Sequence, residues 1–181
     1  MNISQPTSFL NPERVVSYLE VIKGMHVADF GAGAGFYTLP LARRVGEEGK
    51  VFAFDVQKRA LDLVKSRARL EHLLNVETVW ADLELSEGTH LPAESVNLVV
   101  ISNILFQVEK KFEVLMEAHR ILKIGARVAV IEWDETPFPG GPPSDMRLNK
   151  RAVQSFLSRA GFSYDREFEA GSHHYGLLYK K

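Results

Sequence analysis

Between Val27 and Ala42 the chain reads VADFGAGAGFYTLPLA, with glycines at 31, 33 and 35 just behind an acid, Asp29. Glycine weakens helices and strands alike, so such a cluster is tolerated only where backbone turns sharply or lies against a ligand. Further along, carboxylates close apolar runs: Asp55 after KVFAF, Asp82 after VETVWA, and Glu132 and Asp134 on either side of Trp133. A carboxylate there accepts hydrogen bonds from hydroxyl or amino groups, or acts as a base if an acceptor has to lose a proton. His173 and His174 are adjacent. On a strand they face opposite sides and cannot chelate one ion. One of them could reach a pocket, but solvent-facing histidines are the expectation. The sequence has no cysteine, which excludes disulfides, thiolate nucleophiles, zinc–cysteine sites and iron–sulfur clusters. No metal site is expected.

The elements that must position these residues are legible from spacing. Asn11 is a good N-cap, Pro12 fits a first helical position, and Val15, Val16, Leu19 and Ile22 recur at helical spacing, which predicts an opening helix over about 11–23. MHVADF reads as a strand. The glycines follow, then a helix from near Tyr37 to Val45, whose Pro40 falls where N–H groups have no intrahelical acceptor anyway. KVFAFDV is a second strand, 57–73 a charged helix, VETVWAD a third strand, and VNLVVIS a run apolar enough to be buried on both faces. Phe112, Leu115, Met116, His119 and Leu122 form a helical stripe ending before Gly125, in which His119 should be partly buried and hydrogen-bonded. ARVAVIEW is a fifth strand, and Asn149 caps a helix that Gly161 closes. FSYDREFEA and HHYGLLYKK alternate like an antiparallel pair at the sheet edge.

Strands alternating with helices predict an α/β, doubly wound, mostly parallel sheet of seven strands with helices on both faces and a C-terminal antiparallel hairpin. In such sheets ligands bind beyond the carboxyl ends of the strands, which is where the glycines stand. The 181 residues suit one domain, 1–181, with 45% hydrophobic residues for a core. A formal charge of −1 gives no bulk attraction to nucleic acid. No apolar run is long enough to cross a bilayer, and the first residues lack a secretion-signal pattern, so a cytoplasmic protein without membrane insertion is expected. The stretch DETPFPGGPPSDM, within 134–147, is either a mobile lid or a plain connection.

A dinucleotide fingerprint needs a third glycine where Phe36 stands. The G-x-G-x-G spacing behind Asp29 instead resembles motif I of the class I S-adenosylmethionine-dependent methyltransferases, a Rossmann-like family. The order of later segments, VISNILFQV and EAHRILKIGARVAVIEW, is similar as well. FLNPERV and GGPPSDMR resemble the small-molecule branch related to ubiquinone/menaquinone C-methyltransferases, although Asn97 and Ile124-Gly125-Ala126 depart from the usual pattern.

That resemblance implies S-adenosylmethionine as donor and S-adenosylhomocysteine as product. It puts Gly31, Ala32, Gly33 and Gly35 against the methionine end of the donor, with Asp29 holding its amino group directly or through the loop. Asp55 would accept the ribose hydroxyls or merely cap the next helix. Val56 would touch the adenine, and Asp82 with the Leu83 N–H would face its edge, or form only a strand-end turn. Asn103 would lie beside the methionine part. Phe36, Tyr37, Phe106 and Trp133 are candidates to shape an acceptor pocket, and Glu132, Asp134 and Tyr37 the candidates for a catalytic role. The implied partner is a small-molecule acceptor, with no nucleic acid. RNA or protein methylation, or donor binding without turnover, are the alternatives. Arsenite methylation, an activity near this branch, needs cysteine thiolates that these residues lack.

Overall fold

A computed structural model describes residues 10–181 of the chain. Seven strands form one sheet in the order β3-β2-β1-β4-β5-β7-β6, with β1 at His26–Phe30, β2 at Lys50–Asp55, β3 at Val76–Trp80, β4 at Val96–Ser102, β5 at Leu122–Trp133, β6 at Ser163–Glu169 and β7 at His174–Lys180. The first five pair parallel with one another; β7 runs antiparallel to both β5 and β6. Strand order reverses between β1 and β4, which opens a crevice at their carboxyl ends.

The central strands are buried on both faces, and the outer strands β3 and β6 are largely exposed or half-buried. Ala28, Phe30, Val99, Ile101, Val128 and Val130 share one apolar cluster with Val114, Leu115, Val153 and Leu157 of helices α4 (Lys111–Ile121) and α5 (Lys150–Arg159). Val27, Leu98, Val100, Ala129 and Ile131 pack on the other side with α1 (Pro12–Tyr18) and α2 (Thr38–Val45), and Ala53 meets Val64 of α3 (Lys58–Leu70) there. Two-residue alternation along β1, β4 and β5 therefore feeds both faces. None of the helices among the described residues is long and apolar enough to cross a membrane.

Several boundaries differ from the sequence expectation. The opening helix stops at Tyr18, not near residue 23, because Glu20 takes a left-handed φ of 54° while its carboxylate pairs with Arg127 and Arg166. Ile22 consequently lies outside the helix and is exposed. Helix α4 ends at Ile121, so Leu122 belongs to β5, which begins four residues before the predicted ARVAVIEW. The buried face of α4 is Val114, Leu115, Ala118 and Ile121, and Met116 points outward. The terminal hairpin does not simply append an edge: β7 is interior and buried on both faces, leaving β6 at the edge. Pro40 is the third residue of α2, where a missing N–H costs nothing.

Candidate functional site

Strand β1 delivers the chain to Gly31, whose N–H, like that of Ala32, donates to the Phe54 carbonyl of β2 at 2.9 and 2.8 Å. Gly31, Gly33 and Gly35 all take positive φ, at 74°, 51° and 83°, and so form the turn that β-carbons would strain. Their surroundings differ. A β-carbon on Gly31 would overlap Cγ2 of Ile104, and one on Gly35 would lie 3.4 Å from Val64 Cγ2, between helices. At Gly33 the nearest atom is the Gly31 carbonyl oxygen at 4.0 Å, so that side of the loop is open.

The opening is a cleft of about 370 Å³ across the ends of β1 to β4, bordered by Gly31, Gly33, Asp55, Val56, Gln57, Ala81, Asp82, Leu83, Glu84, Asn103, Ile104, Gln107 and Val108. Among the described residues three carboxylates border it and no lysine or arginine does. Asp55 Oδ2 accepts the Gly33 N–H at 2.9 Å and Oδ1 the Gln57 N–H at 2.8 Å, so one side chain braces the glycine loop and the turn that leads into α3. Asp82 Oδ1 accepts the Glu84 N–H at 2.9 Å. Asp55 is therefore not the cap of α3, whose N-cap is Gln57 without a side-chain cap bond; both acids hold the turn that follows their strand, and each carboxylate oxygen retains a second lone pair beside the cleft.

Residues 22–173 match the family model of a methyltransferase domain. The chain belongs to that family. Among relatives, the arsenite methyltransferase of Halobacterium salinarum is 31% identical over 126 residues, which are 68% of this chain and 31% of that protein. The ubiquinone/menaquinone biosynthesis C-methyltransferase UbiE of Escherichia fergusonii is 32% identical over 116 residues, 64% of this chain and 45% of that one. The chain thus spans about a third to a half of the length of these curated relatives. A SAM-dependent methyltransferase from Aquifex aeolicus superposes with a TM-score of 0.86 at 29% identity, covering 94% of this chain and 89% of that one.

Within this methyltransferase domain, Gly31, Gly33, Asp55, Val56, Asp82, Leu83 and Asn103 come together around the cleft. Asp29, Ala32 and Gly35 do not border it. Asp29 is buried and accepts the Thr38 hydroxyl at 2.6 Å at the start of α2, so its carboxylate joins the end of β1 to α2 behind the glycine loop. Burial raises its pKa to about 6, the Thr38 bond opposes this and the Asp55 charge adds to it. Ala32 packs on Ala53 and Val64. Gln57, Ala81, Glu84, Ile104, Gln107 and Val108 also border the cleft and were not singled out from sequence. Gln107, a polar residue inside the NILFQV run, was the available signal.

The three catalytic candidates lie elsewhere. Tyr37 is buried in the apolar layer under α1, where burial chiefly, and the nearby Asp29, push its phenol up. Glu132 is wholly buried and accepts the Leu105 N–H at 2.7 Å, pinning the 103–108 loop to β5. Burial raises its pKa to about 8 against the backbone bonds from Leu105, Phe106 and Trp133. A carboxyl that is shut from solvent and mostly protonated at neutral pH is poorly suited to take protons from an acceptor. Asp134 caps Thr136 and borders a separate depression with Lys150, Arg151, His174 and Tyr175.

Of the aromatic candidates, Phe36 is exposed and lies under the Arg67 guanidinium, and Phe106 is half-buried. Trp133 is buried against His174, Phe138 and the Arg147 guanidinium. The expectation of solvent-facing histidines fails for His174, which is 5% exposed, with its ring 4.2 Å from that of Trp133. His119 is half-buried edge-on to Phe162, and burial lowers its pKa. Arg147 donates to the carbonyls of Pro142, Asp134 and Thr136 at 2.9, 3.0 and 2.6 Å, so the 134–147 loop is tied back on itself.

Proposed function

We propose that this chain binds S-adenosylmethionine in the glycine-loop cleft and transfers its methyl group to a small-molecule acceptor. The observation that carries the reading is the charge of the cleft: among the described residues Asp55, Asp82 and Glu84 border it without any basic side chain. Such a border favours a sulfonium and an ammonium group and disfavours a dinucleotide pyrophosphate. The open side of Gly33 supplies the cradle, since a β-carbon there would occupy the cleft itself. Bound in it, S-adenosylmethionine would supply an electrophilic methyl.

The chain's own contribution is binding and alignment. Peptide groups at Gly31 and Gly33 allow close approach, the remaining lone pairs of Asp55 suit vicinal hydroxyls, and Val56 and Leu83 offer apolar contact. Holding two reactants in line is worth about 7–11 kcal/mol of barrier, which needs no base where the acceptor is already nucleophilic. Small-molecule acceptors are favoured because the relatives are named for arsenite and for quinones. Arsenite itself is disfavoured by the want of cysteine in these residues. The 134–147 loop, packed through Phe138 on Trp133, is the proposed lid on the acceptor side. A cytoplasmic location, where cells hold this donor, completes the reading.

Calorimetric titration with S-adenosylmethionine, S-adenosylhomocysteine and NAD tests the donor site, and labelled donor incubated with fractionated metabolites, RNA and protein tests the acceptor. Binding of the two sulfur nucleosides and label in the metabolite fraction are expected. No binding at millimolar nucleoside, or preferential binding of NAD, overturns the donor assignment. Label confined to RNA or protein overturns the acceptor class.

A further inference from the structure

Residues 103 and 174 are 71 positions apart, yet the sheet order β4-β5-β7 brings them together across the end of β5. Asn103 holds a left-handed φ of 56°, its N–H donates to the Ile131 carbonyl at 2.9 Å, and it borders the cleft. Its Nδ2 lies 3.1 Å from Nε2 of His174. An amide nitrogen only donates, so Nε2 must accept and the imidazole proton must sit on Nδ1. The ring is in position to do this: it is buried, starts β7, and packs on Trp133.

With Nδ2 committed to the histidine, the orientation of the amide is fixed and Oδ1 is the end with no hydrogen-bond partner among the described residues, although it is shut from bulk solvent. A buried acceptor left so costs free energy that a ligand N–H can recover. We propose that His174 is a positioning residue: reaching over β5 from the terminal hairpin, it aims the Asn103 amide so that Oδ1 receives a hydrogen bond from a cationic or N–H group bound at the methionine end of the cleft.

The pairing requires a neutral imidazole. Burial lowers the His174 pKa to about 4, with Asp134 opposing and the charges of His173 and Arg147 assisting, so the acceptor form prevails at neutral pH.

The inference rests on the cleft being the donor site, so it is tested by two readouts of which one needs no donor. Nitrogen-15 NMR of the imidazole should show the Nδ1–H tautomer in the wild-type protein, and loss of that preference in Asn103→Ala; a wild-type Nε2–H tautomer overturns the pairing. In S-adenosylhomocysteine titrations, His174→Leu should weaken binding by about tenfold and His174→Gln, whose Oε1 can accept from Nδ2, should recover most of it. Asn103→Ala/His174→Leu should bind no worse than Asn103→Ala alone. Additive losses, or no recovery by glutamine in a folded variant, overturn the positioning role. Absence of binding in the wild-type protein with the tautomer intact would refute the donor-site reading instead, leaving the Asn103–His174 pair established and its proposed ligand contact rejected.

Discussion

Replacing Gly33 by alanine separates the two reasons a chain keeps glycine in a loop. At φ +51° a β-carbon is strained, by about 1–2 kcal/mol. The built β-carbon meets nothing closer than the Gly31 carbonyl oxygen at 4.0 Å, so no clash adds to that strain. The N–H that donates to Asp55 is retained. For a chain of 181 residues, about 1 kcal/mol corresponds to a melting shift of about 2–4 °C. The folded variant then carries a methyl group in the space assigned to the donor, and S-adenosylhomocysteine affinity should fall at least tenfold, or about 1.4 kcal/mol. Gly35→Ala is the control: its φ of 83° imposes similar strain, but its β-carbon would face Val64 and Leu39. It should melt lower and bind nearly normally. Thermal melts paired with calorimetric titration read both quantities. Gly33→Ala binding as tightly as wild type refutes close approach of ligand to this loop; a melting loss several times that of Gly35→Ala refutes the claim that the space beside it is empty.

Asp55→Ala removes the acceptor of two backbone amides, from Gly33 and Gln57, so a stability loss of about 1–3 kcal/mol should accompany a drop in S-adenosylhomocysteine affinity exceeding that of Gly33→Ala; unchanged titration curves reject the ribose role. Glu132 holds its proton up to about 8 in the folded chain against an ordinary 4.5, so the native state binds a proton that the unfolded chain releases. Its contribution is complete below the unfolded value, and stability falls by about 1.4 kcal/mol per pH unit as pH rises through that window. Glu132→Gln keeps an oxygen for the Leu105 N–H without ionising, and its urea midpoint should gain on the wild type from about pH 5 to pH 8; parallel profiles refute the raised pKa. Arg147→Met deletes three bonds to loop carbonyls and the contact with Trp133, so limited proteolysis within 134–147 should accelerate with little change in global melting; unaltered cleavage means the arginine does not restrain the loop.

The positions of the glycine turn, the strand-end acids and most elements could be read from the chain because each reflects local physics. Apolar period tells which residues face a core, Asn11 and Asn149 supply side-chain oxygens to helix N-termini, and clustered glycine marks backbone that must turn or be approached. What failed locally failed for tertiary reasons. Nothing in PERVVSYLEVI announces that Glu20 will be captured by Arg127 and Arg166 and end the helix early. Met116 and Leu122 fit a helical stripe as well as Leu115 does; packing against the sheet turns Met116 outward, and pairing with Val96 makes Leu122 the start of a strand.

The sequence alone determined the alternating α/β order and the place where a ligand could lie against bare backbone, since both follow from residue type and near-neighbour spacing. It could not sort five similar acids: packing makes Asp55 and Asp82 border the cleft, sinks Asp29 behind Thr38, seals Glu132 under Leu105 and turns Asp134 to another depression. Nor could it join His174 to Asn103, because that contact exists only where the last hairpin pairs with β5. Burial and hydrogen bonding between distant segments are set by the whole packed assembly, and chemistry at a side chain follows from those surroundings as much as from its type.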